Sequence, residues 1–184
     1  MKLIRELDQE ERNALKEKHR NHHLFGSHIE CVLNKAHCFR VDLFAEDYAE
    51  ILICSGLPTA QSPHPYQPVA QAVEYIKNRP SFLTESAHWD STKERCSGRL
   101  SGAKVREYLA RFNACYRRLQ ECFVAMGDCF LLDKSEVRDR MRNEIMDGMH
   151  RLVAYGLATD LKGDHFPIQI YFGTDKTLQP IAIG

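Results

Sequence analysis

The sequence lacks an excess of charge of either sign and lacks any long apolar run. Its 184 residues contain 25 Lys and Arg and 25 Asp and Glu, so the formal net charge is zero. Balanced charge gives no global reason to expect binding to nucleic acid or to a membrane surface. No apolar stretch approaches the roughly 18 residues of a membrane-spanning helix, and the first residues, MKLIRELDQEER, lack the apolar core of a signal peptide. We therefore expect no membrane association and a cytoplasmic location.

The sequence also lacks the short motifs that mark common catalytic sites. It contains no G-x-S-x-G, G-x-x-x-x-G-K-[ST], G-x-G-x-x-G or H-E-x-x-H. The phosphatase loop needs Cys-x5-Arg, and Ala60 stands where Cys54 would need its arginine. These absences favour a non-enzymatic protein without a cofactor. The alternative is an enzyme with a Cys/His or metal-dependent site near residues 19–54, since such partners need not be neighbours in sequence.

Cysteine is comparatively frequent, with seven residues. An odd number without a secretory signal predicts reduced thiols rather than a disulfide framework. Cys115, Cys122 and Cys129 fall at the edge of an apolar helix face, beside Arg111 and Arg118. Their ordinary interpretation is core packing. The alternative is redox sensing, because neighbouring cations lower thiol pKa values.

Five of the nine histidines lie within residues 19–38, which raises the question of a metal site. Zinc takes four Cys or His ligands, commonly as two close pairs. The segment 28–33 alternates like a strand, which would place His28 and Cys31 on opposite faces. We therefore predict no metal here. If a metal binds, we expect the ligands to be His19, His23 and His28.

The first half of the chain predicts a helix and a small antiparallel sheet. Asp8 and Glu11 form a capping-box pattern before a helix from about Gln9 to His22. Alternation in 29–33 and 39–43 predicts a β-hairpin. The segment 45–56 is compatible with a strand from Glu50 to Cys54 or with a short helix.

A proline-rich segment follows, with four of the seven prolines between 58 and 68. We predict one domain over residues 1–184, with a possible subdomain boundary in the loop 57–68. A helix from about Val69 to Asn78 comes next.

The second half predicts a long antiparallel helical hairpin and a C-terminal β-hairpin, which completes an α+β fold. Apolar residues line one face of a helix over 103–126, and Asp133 with Glu136 predicts a second helix to about Tyr155. Alternation in 166–172 before a turn predicts the final hairpin. Helix, Gly-Leu turn and hairpin are also the element order of a winged helix, although a helical hairpin capped by a β-hairpin explains the pattern without DNA.

Positive charge is concentrated in one segment. Residues 93–118 carry eight basic and two acidic residues, or +6, whereas residues 1–56 carry eight and ten, or −2. Lys104, Arg111 and Arg118 recur every seven residues, about 10.5 Å apart along a helix, a spacing that can follow a phosphate backbone or an acidic protein. The alternatives are self-association through helix 103–126, or arginines that lie along the helix and pair with acids elsewhere.

We therefore predict a small intracellular binding or regulatory protein that contacts nucleic acid or an acidic protein partner. The predicted contact residues are Arg95, Arg99, Lys104, Arg106, Arg111, Arg117 and Arg118.

Overall fold

The fold is built on one mixed β-sheet. The computed structural model describes residues 1–23, 25–54, 57, 66–84, 100–115, 117–133 and 143–178. The strands are β1 Lys2–Glu6, β2 His37–Leu43, β3 Leu52–Cys54, β4 Tyr66–Pro68, β5 Phe130–Leu132, β6 Glu144–Asp147 and β7 Ile168–Thr174. Their order across the sheet is β1-β2-β7-β5-β6-β3-β4. The β7–β5 and β6–β3 pairs are parallel and the other neighbouring pairs are antiparallel.

Seven α-helices lie in the described part of the chain. They are α1 Gln9–His19, α2 Glu30–Leu33, α3 Ala45–Glu50, α4 Val69–Asn78, α5 Gly102–Cys115, α6 Leu119–Ala125 and α7 Met149–Thr159. A π-helix at Phe25–Ile29 leads into α2. None of the helices in the described ranges is both long enough and apolar enough to cross a lipid bilayer.

Helices pack on both faces of the sheet and bury two apolar cores. On one face, helices α4 to α7 enclose a large core that includes Phe112, Phe123 and Tyr155. On the other face, α1, the π-helix and α2 enclose a smaller core around Leu15 and Phe130. Two helical layers therefore enclose a central mixed sheet. This is broadly consistent with the predicted α+β class, but the predicted arrangement of separate helical and β parts is wrong.

The predicted small antiparallel sheet and C-terminal β-hairpin are wrong. Residues 168–174 alternate as expected, but they form a single strand between β2 and β5. Buried Ile168, Ile170 and Phe172 face the larger core. A hairpin arm and a central strand show the same local alternation, so the pattern alone does not identify the partner strands. The winged-helix interpretation fails with the hairpin.

The predicted helical hairpin is also wrong. The first helix is divided into α5 and α6, and α5 packs against α7 instead of against a helix from Asp133. The segment before α7 forms β6, and Gly148 separates the two with a φ of +99°, which a helix interior does not allow. Residues 134–142, and with them Glu136 of the predicted cap, lie outside the described residues.

In the first half of the chain, short-range sequence signals predicted the positions of two helices correctly. Asp8 caps α1 and forms a capping box with Glu11, as predicted. Helix α4 covers the predicted residues 69–78. The segment 45–54 contains both of the alternatives, α3 and then β3.

The predicted strand over 29–33 is helical instead. Ile29, Val32 and Leu33 are all buried, which is the i, i+3, i+4 spacing of a helix face rather than the alternation of a strand. Residues 58–65 of the proline-rich loop lie outside the described part, and the subdomain boundary stays a prediction.

Candidate nucleic-acid interface

Helix α5 presents a basic side because its apolar residues turn towards α7 and the larger core. Val105 and Phe112 are fully buried, whereas Lys104, Arg106 and Arg111 are exposed. Seven residues are close to two helical turns, so Lys104 and Arg111 lie on the same flank, about 10.5 Å apart along the axis. Arg106 lies on the other flank of the exposed side.

Arg117 and Arg118 extend this surface into the turn between α5 and α6. Arg118 has φ −129° and ψ 45°, which interrupts the helix, and its N–H donates to the carbonyl oxygen of Cys115 at 2.8 Å. Both arginines are exposed, and the side chain of Arg118 is 76% accessible. The continuous helix predicted over 103–126 is therefore broken where two of its basic residues lie.

The break is set by the apolar core. Helix α6 directs Phe123 into the core, where its ring lies 5.0 Å from that of Tyr155. Phe112 of α5 lies 5.2 Å from the same Tyr155 ring. Both helices thus anchor on one residue of α7, which sets the position of the break between them.

A disulfide bond joins Cys115 to Cys122 across this turn. The prediction of reduced cysteines is therefore wrong at these two positions. The described cysteines outside this bond are Cys31, Cys38, Cys54 and Cys129; Cys96 lies outside the described residues. Cys129 does not share the turn, because it is buried under Arg151, which donates to its Sγ at 2.7 Å.

Few acids neutralise the basic surface. Residues 102–125 contain five basic and two acidic residues, or +3. Arg111 pairs with Glu107 at 2.7 Å, and Arg118 pairs with Glu121 at 3.7 Å. Exposed pairs of this kind stabilise by about 0–1 kcal/mol and leave both groups available for a partner.

Three further cations have no ion-pair partner in the part of the chain that the structure describes: Lys104, Arg106 and Arg117. Within the described residues no acid neutralises these three positions, and pairing with acids elsewhere in the chain stays an alternative. Arg95 and Arg99, the other two predicted contact residues, lie outside the described residues.

The surface between the cations offers little apolar area. Its exposed residues include Ala103, Ala110 and Ala114. Val124 on α6 is the one large apolar side chain exposed there among the described residues, at 52%. Tyr108 is half-buried and lies under the Arg111 guanidinium, 5.7 Å from ring centroid to Cζ.

The histidines proposed as metal ligands are not gathered into one site. His19 Nε2 lies 2.8 Å from Asp128 Oδ2, and His23 stacks on His22 with ring centroids 4.6 Å apart. His28 lies on the π-helix, and its buried Nδ1 has no hydrogen-bond partner in the described part of the chain. The described residues contain no group of three or more His, Cys, Asp or Glu that could hold a metal ion.

The three cysteines of the alternative enzyme site have different surroundings. Cys31 Sγ donates to the carbonyl oxygen of His28 at 2.8 Å. Cys38 is fully buried, and burial raises its pKa to about 11, which disfavours the nucleophilic thiolate. Cys54 ends β3 in a half-buried position.

Sequence reasoning missed a polar cluster at Asp128. Lys18 and His19 at the end of α1 both contact its carboxylate, at 2.7 and 2.8 Å. Burial acts to raise the pKa of Asp128, but the hydrogen bonds and charges of these two neighbours outweigh it and lower the pKa overall. No local signal joins these residues, because Lys18 and Asp128 lie 110 positions apart.

No protein-family model matches the chain, and no curated protein or solved structure shows significant similarity to it.

Proposed function

We propose that this chain is a small non-enzymatic binding protein whose α5–α6 surface contacts the phosphate backbone of nucleic acid. The proposal is carried by three exposed cations that have no acidic partner among the described residues, Lys104, Arg106 and Arg117. Unpaired cations lose no internal ion pair when they meet phosphate, and each one that does so releases condensed counterions from the nucleic acid. The sequence-based expectation of a cytoplasmic location belongs to the same proposal.

The composition of the surface favours nucleic acid over an acidic protein. Four of its five basic residues are arginine, whose planar guanidinium binds phosphate oxygens through two parallel hydrogen bonds. Stable protein interfaces need a buried apolar or aromatic centre. Around these cations the exposed apolar side chains are alanine, with Val124 as the one large exception among the described residues.

The expected mode of binding is independent of base sequence. Contacts to phosphates set position and affinity, whereas discrimination between bases needs side chains that reach the groove edges. Lys104 and Arg111 on one flank of α5 and Arg117 and Arg118 at its end would follow the backbone. Affinity should therefore fall steeply with salt for DNA and RNA alike.

A matched pair of variants tests this proposal. Arg118→Gln removes an exposed arginine that pairs with Glu121 three positions away. The control, Arg20→Gln, removes a similarly exposed arginine at the C-cap of α1 that pairs with Glu17 at the same spacing. Fluorescence anisotropy with labelled 20-base-pair DNA at 50 mM salt should show binding about threefold to tenfold weaker for Arg118→Gln. Arg20→Gln should bind like the unaltered protein.

Two results would count against nucleic acid. The first is the absence of binding to DNA and to RNA at 50 mM salt. The second is an equal loss for both variants, because general electrostatic attraction would then explain the binding. Self-association through residues 103–126 stays a separate prediction, which light scattering at two protein concentrations would measure.

A further inference from the structure

The Cys115–Cys122 bond and a continuous helix exclude each other. Seven residues of α-helix advance about 10.5 Å, whereas a disulfide needs Cα atoms about 4.4–6.8 Å apart. In this protein the two Cα atoms are 6.4 Å apart. The bond is therefore compatible only with the turn that separates α5 from α6, and it encloses both Arg117 and Arg118.

Within the described residues, the turn has few other local stabilising contacts. No side-chain cap begins α6, whose N-cap residue is Arg118 itself. One backbone hydrogen bond closes the turn, from Arg118 N–H to the carbonyl of Cys115. The core contact of Phe123 holds α6 from one side, but it lies beyond the segment that bears the arginines. Loss of the disulfide would leave Arg117 and Arg118 with more conformational freedom.

The two sulfur atoms are placed for exchange with small thiols. Cys115 and Cys122 are both half-buried at the molecular surface. Cys38 and Cys129 contrast with them, because both are buried and burial raises their pKa. Thiol–disulfide exchange requires access and a thiolate, and positive charge such as that of Arg117 and Arg118 favours a thiolate.

We propose that Cys115 and Cys122 form a reversible thiol–disulfide switch that sets the affinity of the α5–α6 surface for nucleic acid. This inference rests on the proposed function. In the oxidised protein Arg117 and Arg118 are held in place. In the reduced protein they must be ordered on binding, and ordering a long side chain opposes association. The oxidised form should bind about threefold to tenfold more tightly.

The chemistry needs a small-molecule disulfide, RSSR, as oxidant. One cysteine thiolate attacks a sulfur of RSSR, which forms a mixed disulfide and releases one thiolate, RS⁻. The thiolate of the second cysteine then attacks the sulfur of the first, which closes the Cys115–Cys122 bond and releases a second RS⁻. The two cysteines lose two electrons and two protons in total, and RSSR is reduced to two RSH.

The test measures DNA binding by the full chain in both redox states. Anisotropy with a labelled 20-base-pair duplex is recorded for the protein oxidised with glutathione disulfide and for the same sample reduced with dithiothreitol, with thiols counted by mass after alkylation. The double variant Cys115→Ser/Cys122→Ser should bind like the reduced protein in both conditions. The control variant Cys31→Ser/Cys54→Ser should keep the full redox response.

Equal affinity of the oxidised and reduced protein overturns the switch and leaves the proposed function standing. Binding in neither state overturns the proposed function, and with it this regulation. Amide hydrogen exchange over residues 117–122 gives an independent readout, even where the serine variant folds poorly. It should be faster in the reduced protein, and equal exchange in the two states contradicts the switch.

Discussion

The rings of Phe112 and Phe123 stack with centroids 6.4 Å apart and planes 13° apart, although the two residues lie eleven positions apart in the chain. In a continuous helix, eleven residues would separate them by about 16.5 Å along the axis. The stacking is therefore possible only because α6 folds back on α5 at Arg118. A core contact thus determines where the chain turns between α5 and α6.

Removal of the Phe123 ring should destabilise the whole protein. Phe123 is 1% exposed and contacts Tyr155 as well as Phe112. Phe123→Ala should lower the free energy of unfolding by about 3–5 kcal/mol, from lost burial and the cavity that remains. Urea denaturation measures this. The neighbouring Val124→Ala should change the stability by less than about 0.5 kcal/mol, since Val124 is 52% exposed; similar losses for both would contradict this packing.

The capping box of α1 gives a second prediction. Asp8 accepts a hydrogen bond from Glu11 N–H at 2.8 Å, and Glu11 accepts one from Asp8 N–H at 3.2 Å. Asp8→Ala should lower the free energy of unfolding by about 1 kcal/mol. Asp8→Asn keeps a side-chain acceptor and should retain most of the stability, again by urea denaturation. Equal losses of unfolding free energy for Asp8→Ala and Asp8→Asn would show that the cap itself contributes little.

Acid should weaken the contact between α1 and the loop before β5. The pKa of Asp128 is lowered below its ordinary value of 3.8, because Lys18 and His19 outweigh the effect of burial. A lowered pKa in the folded state stabilises the protein above the unfolded-state pKa of about 3.9, and this contribution is lost as the pH falls through the folded-state pKa. The free energy of unfolding should thus fall below about pH 4.

Asp128→Asn removes this titration. Its stability should be lower than that of the unaltered protein at pH 6, and it should decline less between pH 5 and pH 3. Urea denaturation across this pH range measures the difference. Parallel declines of the two proteins would show that other carboxylates account for the acid sensitivity.

Gly148 should not tolerate a side chain. Its φ is +99°, and an added Cβ would lie 2.4 Å from the Sγ of buried Cys129. Gly148→Ala should lower the free energy of unfolding by about 1–3 kcal/mol or more, because of backbone strain and this clash. Gly163→Ala is the control, because nothing lies within 4 Å of its added Cβ. Calorimetry that found both variants near the unaltered stability would contradict the geometry around Gly148.

Elements with strong local signals could be predicted from the sequence. The Asp8 cap and the apolar spacing of α4 are complete within about ten residues, and both helices formed where expected. Residues 29–33 were too short to separate strand alternation from helix spacing, and the helix formed because Ile29, Val32 and Leu33 share one core.

Long-range pairing could not be predicted in the same way. The alternation of β7 was recognised, but its neighbours β2 and β5 come from distant parts of the chain. At the candidate interface, the exposure of Lys104, Arg106 and Arg111 follows from helix periodicity and was predicted. The break at Arg118 was not, because no glycine or proline marks it and its cause is the packing of Phe123.

The salt dependence of DNA binding by the oxidised protein tests the phosphate-binding role of the α5–α6 surface most directly. The logarithm of the binding constant should fall linearly with the logarithm of salt concentration between 50 and 300 mM. The slope should reach about −4.5 if all five cations of the α5–α6 surface contact phosphates. Arg117→Gln/Arg118→Gln should reduce the magnitude of the slope by about 2, and the control Arg20→Gln/Lys162→Gln should leave it unchanged. A slope near zero, or one that the Arg117→Gln/Arg118→Gln variant does not change, would contradict a phosphate-binding role for the α5–α6 surface.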